Sequence, residues 1–324
     1  MMSLSRISAA ASVAVTMGAF RWRNVECESE SRNSAFVFIK PHANTPKTQQ
    51  LVSRSFSTQG IRVLEEGELT GEQIDQGRLI DQHYYAIASK ATLMKPEQLP
   101  VPAAKFQDTF GISWQKALKD GLVFNALDAC KHLGITADEL DKAWGPAKKV
   151  KFGGGFYCGL VSVPGKTPIY VFNGFFMSMR NKFVTPGTSI HYYVVDFSPS
   201  DISWSDFRGN VLGPTDPAQA PADSLRGKIL KDWKSLGLEY QPNVGDNGVH
   251  ASASPFEGLA ERANWLKTDI AADPFGAKLL AAGISRDTIE KWSVDPQVKG
   301  KSLFDSLEDL DTEECVAKAV ELNK

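Results

Sequence analysis

The stretch AFVFIKPHANTPKTQQLVSRSFSTQGIRVL, Ala35–Leu64, sets the fold expectation for the whole chain. Ala35–Ile39 is an apolar run of strand length that stops at Lys40-Pro41. Thr45 then opens a helix, with Pro46 in its first turn, where a missing N–H costs nothing. Leu51, Val52, Ser55 and Phe56 give that helix one packing face, and Gly60 ends it. Ile61–Leu64 predicts a second strand, and Gly71–Lys90 a second helix.

Further along, Trp114–His132 and Thr136–Trp144 carry helical spacing with Gly134 between them. Gly153–Gly155 breaks the pattern before Phe156–Val163, a candidate strand or buried segment. Asn173–Phe183 suits a short helix. Ser189–Phe197 (SIHYYVVDF), dense in β-branched and aromatic residues, is the strongest strand pattern of the chain. Gly and Pro punctuate a long loop from Gly209 to Pro221; Lys228–Leu236 suits a short helix before Val244–His250. Ser254, Pro255 and Glu257 mark the start of a helix reaching Leu266, and residues 273–324 are helical in pattern. The expected organisation is a leader and linker over 1–33, a domain over 34–272 interrupted by a helical insertion at about 91–166, and a helical extension over 273–324.

Hydrophobic residues make up 42% of the 324 and charged residues 23%, as in ordinary globular chains. With 36 Lys+Arg against 38 Asp+Glu, the net charge of −2 argues against a generic nucleic-acid scaffold, while a small anionic ligand needs only local positive charge. Cys27, Cys130, Cys158 and Cys315 form no C-x-x-C pair, so neither a zinc framework nor a disulfide scaffold is expected. No apolar run approaches the length of a membrane span. The first 23 residues hold Arg6, Arg21 and Arg23 and no acid, the composition of an organelle transit peptide. A mitochondrial destination is expected, with plastid or cytoplasm as alternatives.

Three distant segments fit one phosphoryl-transfer site. FVFIKPHAN (Phe36–Asn44) ends a strand with a lysine, LGPTDPAQAPADSLRG (Leu212–Gly227) ends a rigid loop with an arginine, and DNGVHASAS (Asp246–Ser254) sets a histidine four residues before a helix cap. Lysine and arginine on separate segments can clamp a polyphosphate from two sides. Neutral imidazole is a good phosphoryl acceptor, and a neighbouring carboxylate can keep its second nitrogen protonated. Taken singly, His250 would read as a packed or surface histidine and Lys40 and Arg226 as surface charges; only their blocks promote them.

Together the blocks resemble the nucleoside diphosphate kinase family. Lys40-Pro41-His42-Ala43 stands where that family has Lys-Pro-Asp-Gly. Leu212, Gly213, Thr215, Pro217, Pro221, Arg226 and Gly227 follow its central loop, and Asn247 to Ser254 its N-x-x-H-G-S-D-S signature. Glu261 lies at the interval of the family's orienting glutamate. The resemblance implies an α/β, ferredoxin-like four-stranded antiparallel sheet covered by helices. It implies His250 as the phosphorylated nucleophile, with Glu261 and Ser252 orienting it. Lys40, Thr215, Arg226 and Asn247 would bind phosphate and ribose, with Tyr84 close to the histidine. Phe172 would stack the base, or Val171 in its place, although by itself Phe172, with Tyr157, Tyr170 and Phe175, reads as core or subunit contact; Arg208 stands one position off the family's arginine. The implied ligands are ATP and other nucleoside di- and triphosphates with Mg2+, without a dedicated metal site; the implied assembly is a homo-oligomer or a larger complex. Ala251 and Ala253 replace a glycine and an aspartate of the signature. These departures and the insertions keep a second reading open, a kinase-like structural subunit of an organellar complex.

Gly159 to Thr167 imitates a P-loop but has one residue too many, and reads as a strand followed by a Pro-Gly turn. His42, His132 and His191 share no metal-ligand spacing.

Overall fold

The structure, a computed structural model, describes residues 31–324. The leader expected within the first 23 residues, and Cys27, lie outside the described residues. Among the described residues, eight strands build two four-stranded sheets, apart from a short C-terminal hairpin. They are β1 (Asn33–Ile39), β2 (Arg62–Thr70), β3 (Val123–Asn125), β4 (Lys148–Gly153), β5 (Phe156–Val161), β6 (Ile169–Phe172), β7 (Ser189–Phe197) and β8 (Val249–Ala251).

The first sheet has the order β2-β7-β1-β8, antiparallel at every pairing. Alternate residues of a strand face opposite sides. On one side Ala35, Val37 and Ile39 of β1 pack with Val52 and Phe56 of the Pro46–Thr58 helix and with Leu225 and Ile229 of the Leu225–Leu236 helix. On the other, Phe36 and Phe38 pack with Ile74, Ile80, Phe183 and Trp265. Both faces of β1 are therefore covered, which is why its sequence is a continuous apolar run and not an alternation. Thr45 caps the Pro46–Thr58 helix by accepting the Thr48 N–H.

The second helix expected over Gly71–Lys90 forms as short turns, Gly71–Gln76, Leu79–His83 and Tyr85–Ala88, followed by a wider turn to Leu93. Arg78 breaks the run with φ of +50°. The insertion is not simply helical. Four strands in the order β3-β6-β5-β4, with β3 and β6 parallel, form a second sheet flanked by helices. Val123–Asn125 interrupts the helix expected over Trp114–His132, because three residues suffice to pair with β6 in the core. β4 is masked in sequence by its exposed lysines Lys148, Lys149 and Lys151. β6 carries the sheet past residue 166, so this layer runs further than the expected insertion.

The C-terminal extension folds as Pro274–Ala281, Arg286–Trp292, Leu303–Leu307 and Thr312–Leu322, with a short hairpin between the second and third helices. Leu279, Ile289, Leu303, Leu307 and Cys315 pack against Phe256 and Leu259 of the Pro255–Trp265 helix. Residues 31–324 cluster as one unit. No described helix is long and apolar enough to cross a membrane.

Candidate active site

β1 and β8 set the site. Phe38 pairs with His250 and Ile39 with Val249, and the Lys40 N–H donates to Gly248 O at 2.9 Å. Lys40 and His250 thus leave adjacent strands at the same end of the sheet. The loop that delivers Arg226 is shaped by two glycines. Gly213 has φ of +89°, and a Cβ on it would lie 2.6 Å from Ser224 Oγ. A Cβ on Gly227 would lie 2.1 Å from Pro221 O, so the Arg-Gly pair admits no side chain at its second position.

His250 is held by a buried relay. Its Nε2 lies 2.5 Å from Glu261 Oε1, and the Ser252 hydroxyl reaches Glu261 Oε2 at 2.6 Å. Ser252 Oγ also accepts the Phe36 N–H at 2.9 Å, locking the relay to β1. Phe38 stacks on the imidazole at 4.7 Å between ring centroids. Burial, then the charges of Lys40, Arg226 and Arg208, hold His250 well below the usual histidine range, so its ring is neutral near pH 7. Burial pushes the Glu261 carboxyl up to about 8.

The cations form a cradle beside this ring. Lys40 Nζ donates to Gly245 O at 3.1 Å, and burial with the neighbouring Arg226 brings its pKa down to about 8. Arg226 donates from Nη1 to Gly213 O at 2.6 Å and from Nη2 to Val249 O at 3.0 Å, which fixes its fork next to His250. Asn247 donates to Thr215 O at 3.0 Å, while its own Oδ1 is buried without a hydrogen-bond partner. Such an orphan acceptor is costly unless a ligand donor satisfies it. Tyr84 lines both the cavity of about 400 Å³ at His250 and the crevice of about 30 Å³ at Lys40.

The structure therefore brings Lys40, Tyr84, Thr215, Arg226, Asn247, His250, Ser252 and Glu261 to one region. Phe172 is not there. It is fully buried in the second sheet, 5.5 Å from Phe156 and 6.0 Å from Trp114 between ring centroids, and is a core residue; Val171 is buried in the same sheet. Arg208 lies near enough to influence His250, but its Nη1 is held by Glu308 and Asp309. Exposed ion pairs of this kind contribute on the order of 0.2–1 kcal/mol.

Sequence reasoning also missed several neighbours. His83 meets His250 edge-on at 4.6 Å and accepts the Trp265 indole N–H at 3.3 Å. Lys182 pairs with Asp246 at 2.8 Å, both lining the Lys40 crevice, and Tyr240 donates to the same carboxylate at 3.0 Å. The His83-Tyr84 pair and Asp246, one residue before Asn247, were visible signals; Lys182 offered none. His83, His250 and Glu261 could hold a metal through atoms within 4.8 Å of one another. However, the 2.5 Å contact is a hydrogen bond, shorter than the roughly 3.3 Å between ligands of a tetrahedral ion. Cationic Lys40, Arg226 and Arg208 also oppose a metal there.

No protein-family model matches this chain, and no curated protein matches it. Among solved structures, it is similar to a nucleoside diphosphate kinase from Encephalitozoon cuniculi, with 14% identity, 73% of this chain and 90% of that one covered, and a TM-score of 0.37. It is also similar to an NDP kinase from Pyrobaculum aerophilum, with 15% identity, 72% and 95% covered, and a TM-score of 0.33.

Proposed function

We propose that this protein is a nucleoside diphosphate kinase acting through a phosphohistidine at His250, on a ferredoxin-like β1-helix-β2-β7-helix-β8 framework. The observation that carries the reading is the Glu261 contact to Nε2: with that carboxylate ionised, the ring's single proton stays on Nε2 and Nδ1 is left as the nucleophile of a neutral imidazole next to Lys40 and Arg226. The substrate would be a nucleoside triphosphate with its magnesium ion, such as ATP. Nδ1 attacks the γ-phosphorus as the bond to the β,γ-bridging oxygen breaks, and the diphosphate leaves with that electron pair. No proton moves from Nδ1, because the reactive tautomer keeps its single proton on Nε2, facing Glu261. A second nucleoside diphosphate then attacks the phosphorus and releases His250.

Lys40 and Arg226 would neutralise charge on the phosphates. The orphan Asn247 Oδ1 supports a sugar hydroxyl as its missing donor. The crevice at Lys40 has the volume of about one water, so a phosphate entering it would have to part the Lys182–Asp246 pair that lines it. The deciding experiment is acid-labile phosphate incorporation from γ-labelled ATP, comparing the intact protein with His250→Ala. Label that chases onto GDP and disappears in the variant is expected. A folded protein that takes no label, or a variant that keeps it, overturns the reading.

A further inference from the structure

The C-terminal extension reaches the candidate site. Phe304, Ser293 and Glu290 wall the same cavity as His250, Tyr84 and Glu257. Just beyond Phe304, Glu308 Oε1 and Asp309 Oδ1 lie 2.6 and 2.7 Å from a single atom, Arg208 Nη1. The Asp309 N–H also donates to Ala253 O at 3.0 Å, three residues past His250. Asp309 has φ of +63°, a left-handed conformation that aspartate tolerates better than most residues.

This acidic pair is the exposed link between two buried anchors. Before it, Leu303 and Leu307 are fixed against Phe256 and Leu259. After it, Asp311 Oδ1 accepts the Trp204 N–H at 2.7 Å and the Asn33 side-chain amide at 2.6 Å. The side chains of Glu308 and Asp309 are 40% and 45% exposed, so they can swing away while both anchors stay in place. Arg208 meanwhile acts electrostatically on both His250 and Glu257.

We propose that Glu308 and Asp309 form a displaceable counter-anion, occupying Arg208 until a phosphate group of an incoming ligand takes it over. The proposal rests on reading the His250 cradle as a phosphate site. Two carboxylate oxygens on one guanidinium nitrogen supply the acceptors and charge that a polyphosphate would offer, and a polyphosphate brings more of both. The extension thereby weakens anion binding without closing the cavity.

The test is calorimetric titration of the full-length protein with inorganic pyrophosphate, beside labelling from γ-labelled ATP. The E308Q/D309N protein should bind pyrophosphate about tenfold tighter than the unsubstituted chain. In an R208Q background the same pair of substitutions should give no gain. Equal affinity with and without E308Q/D309N, or an equal gain in the R208Q background, overturns the latch. If His250 still takes label in that case, the kinase reading stands alone. Tighter pyrophosphate binding in a protein that takes no label leaves the latch standing and removes the kinase reading. No pyrophosphate binding and no label in either protein removes both.

Discussion

Glu261 holds His250 and Ser252 with its two oxygens, Oε1 2.5 Å from the imidazole Nε2 and Oε2 2.6 Å from the hydroxyl. One carboxylate therefore sets the orientation of the ring and is itself pinned to β1 through Ser252. Glu261→Ala frees the imidazole to rotate and to exchange tautomers. The expected result is a fall in the single-turnover labelling rate of about 10²–10⁴-fold, the range spanned by misplaced acid–base partners. Quenched-flow labelling checks it. A rate within a factor of two of the intact protein would show that Glu261 does not govern the ring.

The relay also fixes a pH dependence. In the proposed mechanism the reactive form has a bare Nδ1, a proton on Nε2 and an ionised Glu261. Burial raises that carboxyl to about 8, and a proton on Glu261 leaves the ring's own proton on Nδ1. The reactive fraction thus grows as pH rises toward about 8. His250 is held well below 6.5, so its own protonation does not intervene near neutrality. Lys40, brought down to about 8 by burial and Arg226, loses its charge above that pH and weakens phosphate binding. The kcat/KM profile is expected to be a narrow bell with its top near 8. A flat plateau from pH 6.5 to 9 contradicts this.

Ser252→Ala tests the link between the site and the sheet. It leaves the buried Phe36 N–H without its side-chain acceptor and Glu261 Oε2 without its donor. The expected loss is about 1–3 kcal/mol of unfolding free energy, the cost of unsatisfied buried polar groups. Urea denaturation followed by tryptophan fluorescence measures it. A change below about 0.5 kcal/mol, typical of a neutral surface site, would remove Ser252 from the relay.

What was legible in the sequence follows from the range of the interactions involved. β1 shows because a strand buried on both faces is apolar through its centre, and β7 because its β-branched and aromatic residues favour a strand. Lys40, Arg226, Asn247 and His250 show because each sits in a local block with a turn, a cap or a glycine at a fixed interval. β3 does not, since three residues carry no period and owe their conformation to pairing with β6. Lys182 and the Glu308–Asp309 pair are placed by tertiary packing alone, and locally read as solvated charge. Phe172 was open to two readings, base-stacking by resemblance and core by its own composition, and the second holds. Its segment is apolar enough for either a pocket wall or a core, and only the second sheet distinguishes them.

Phe172→Ala separates those two roles. Phe172 is fully buried among Trp114, Phe152 and Phe156, so truncation opens a cavity in the second sheet. Destabilisation of about 3–5 kcal/mol is expected, as for other buried phenylalanines. The nucleotide affinity of the folded fraction should stay unchanged, because β6 lies in the second sheet whereas His250 and Lys40 are set by β8 and β1 of the first. Fluorescence titration with a labelled nucleotide, at a temperature where denaturation curves show the variant folded, checks this. A base-stacking role would reverse the pattern, with affinity falling about tenfold or more and stability hardly moving. The two outcomes differ in both observables, so one variant decides whether the second sheet takes part in nucleotide recognition through this ring.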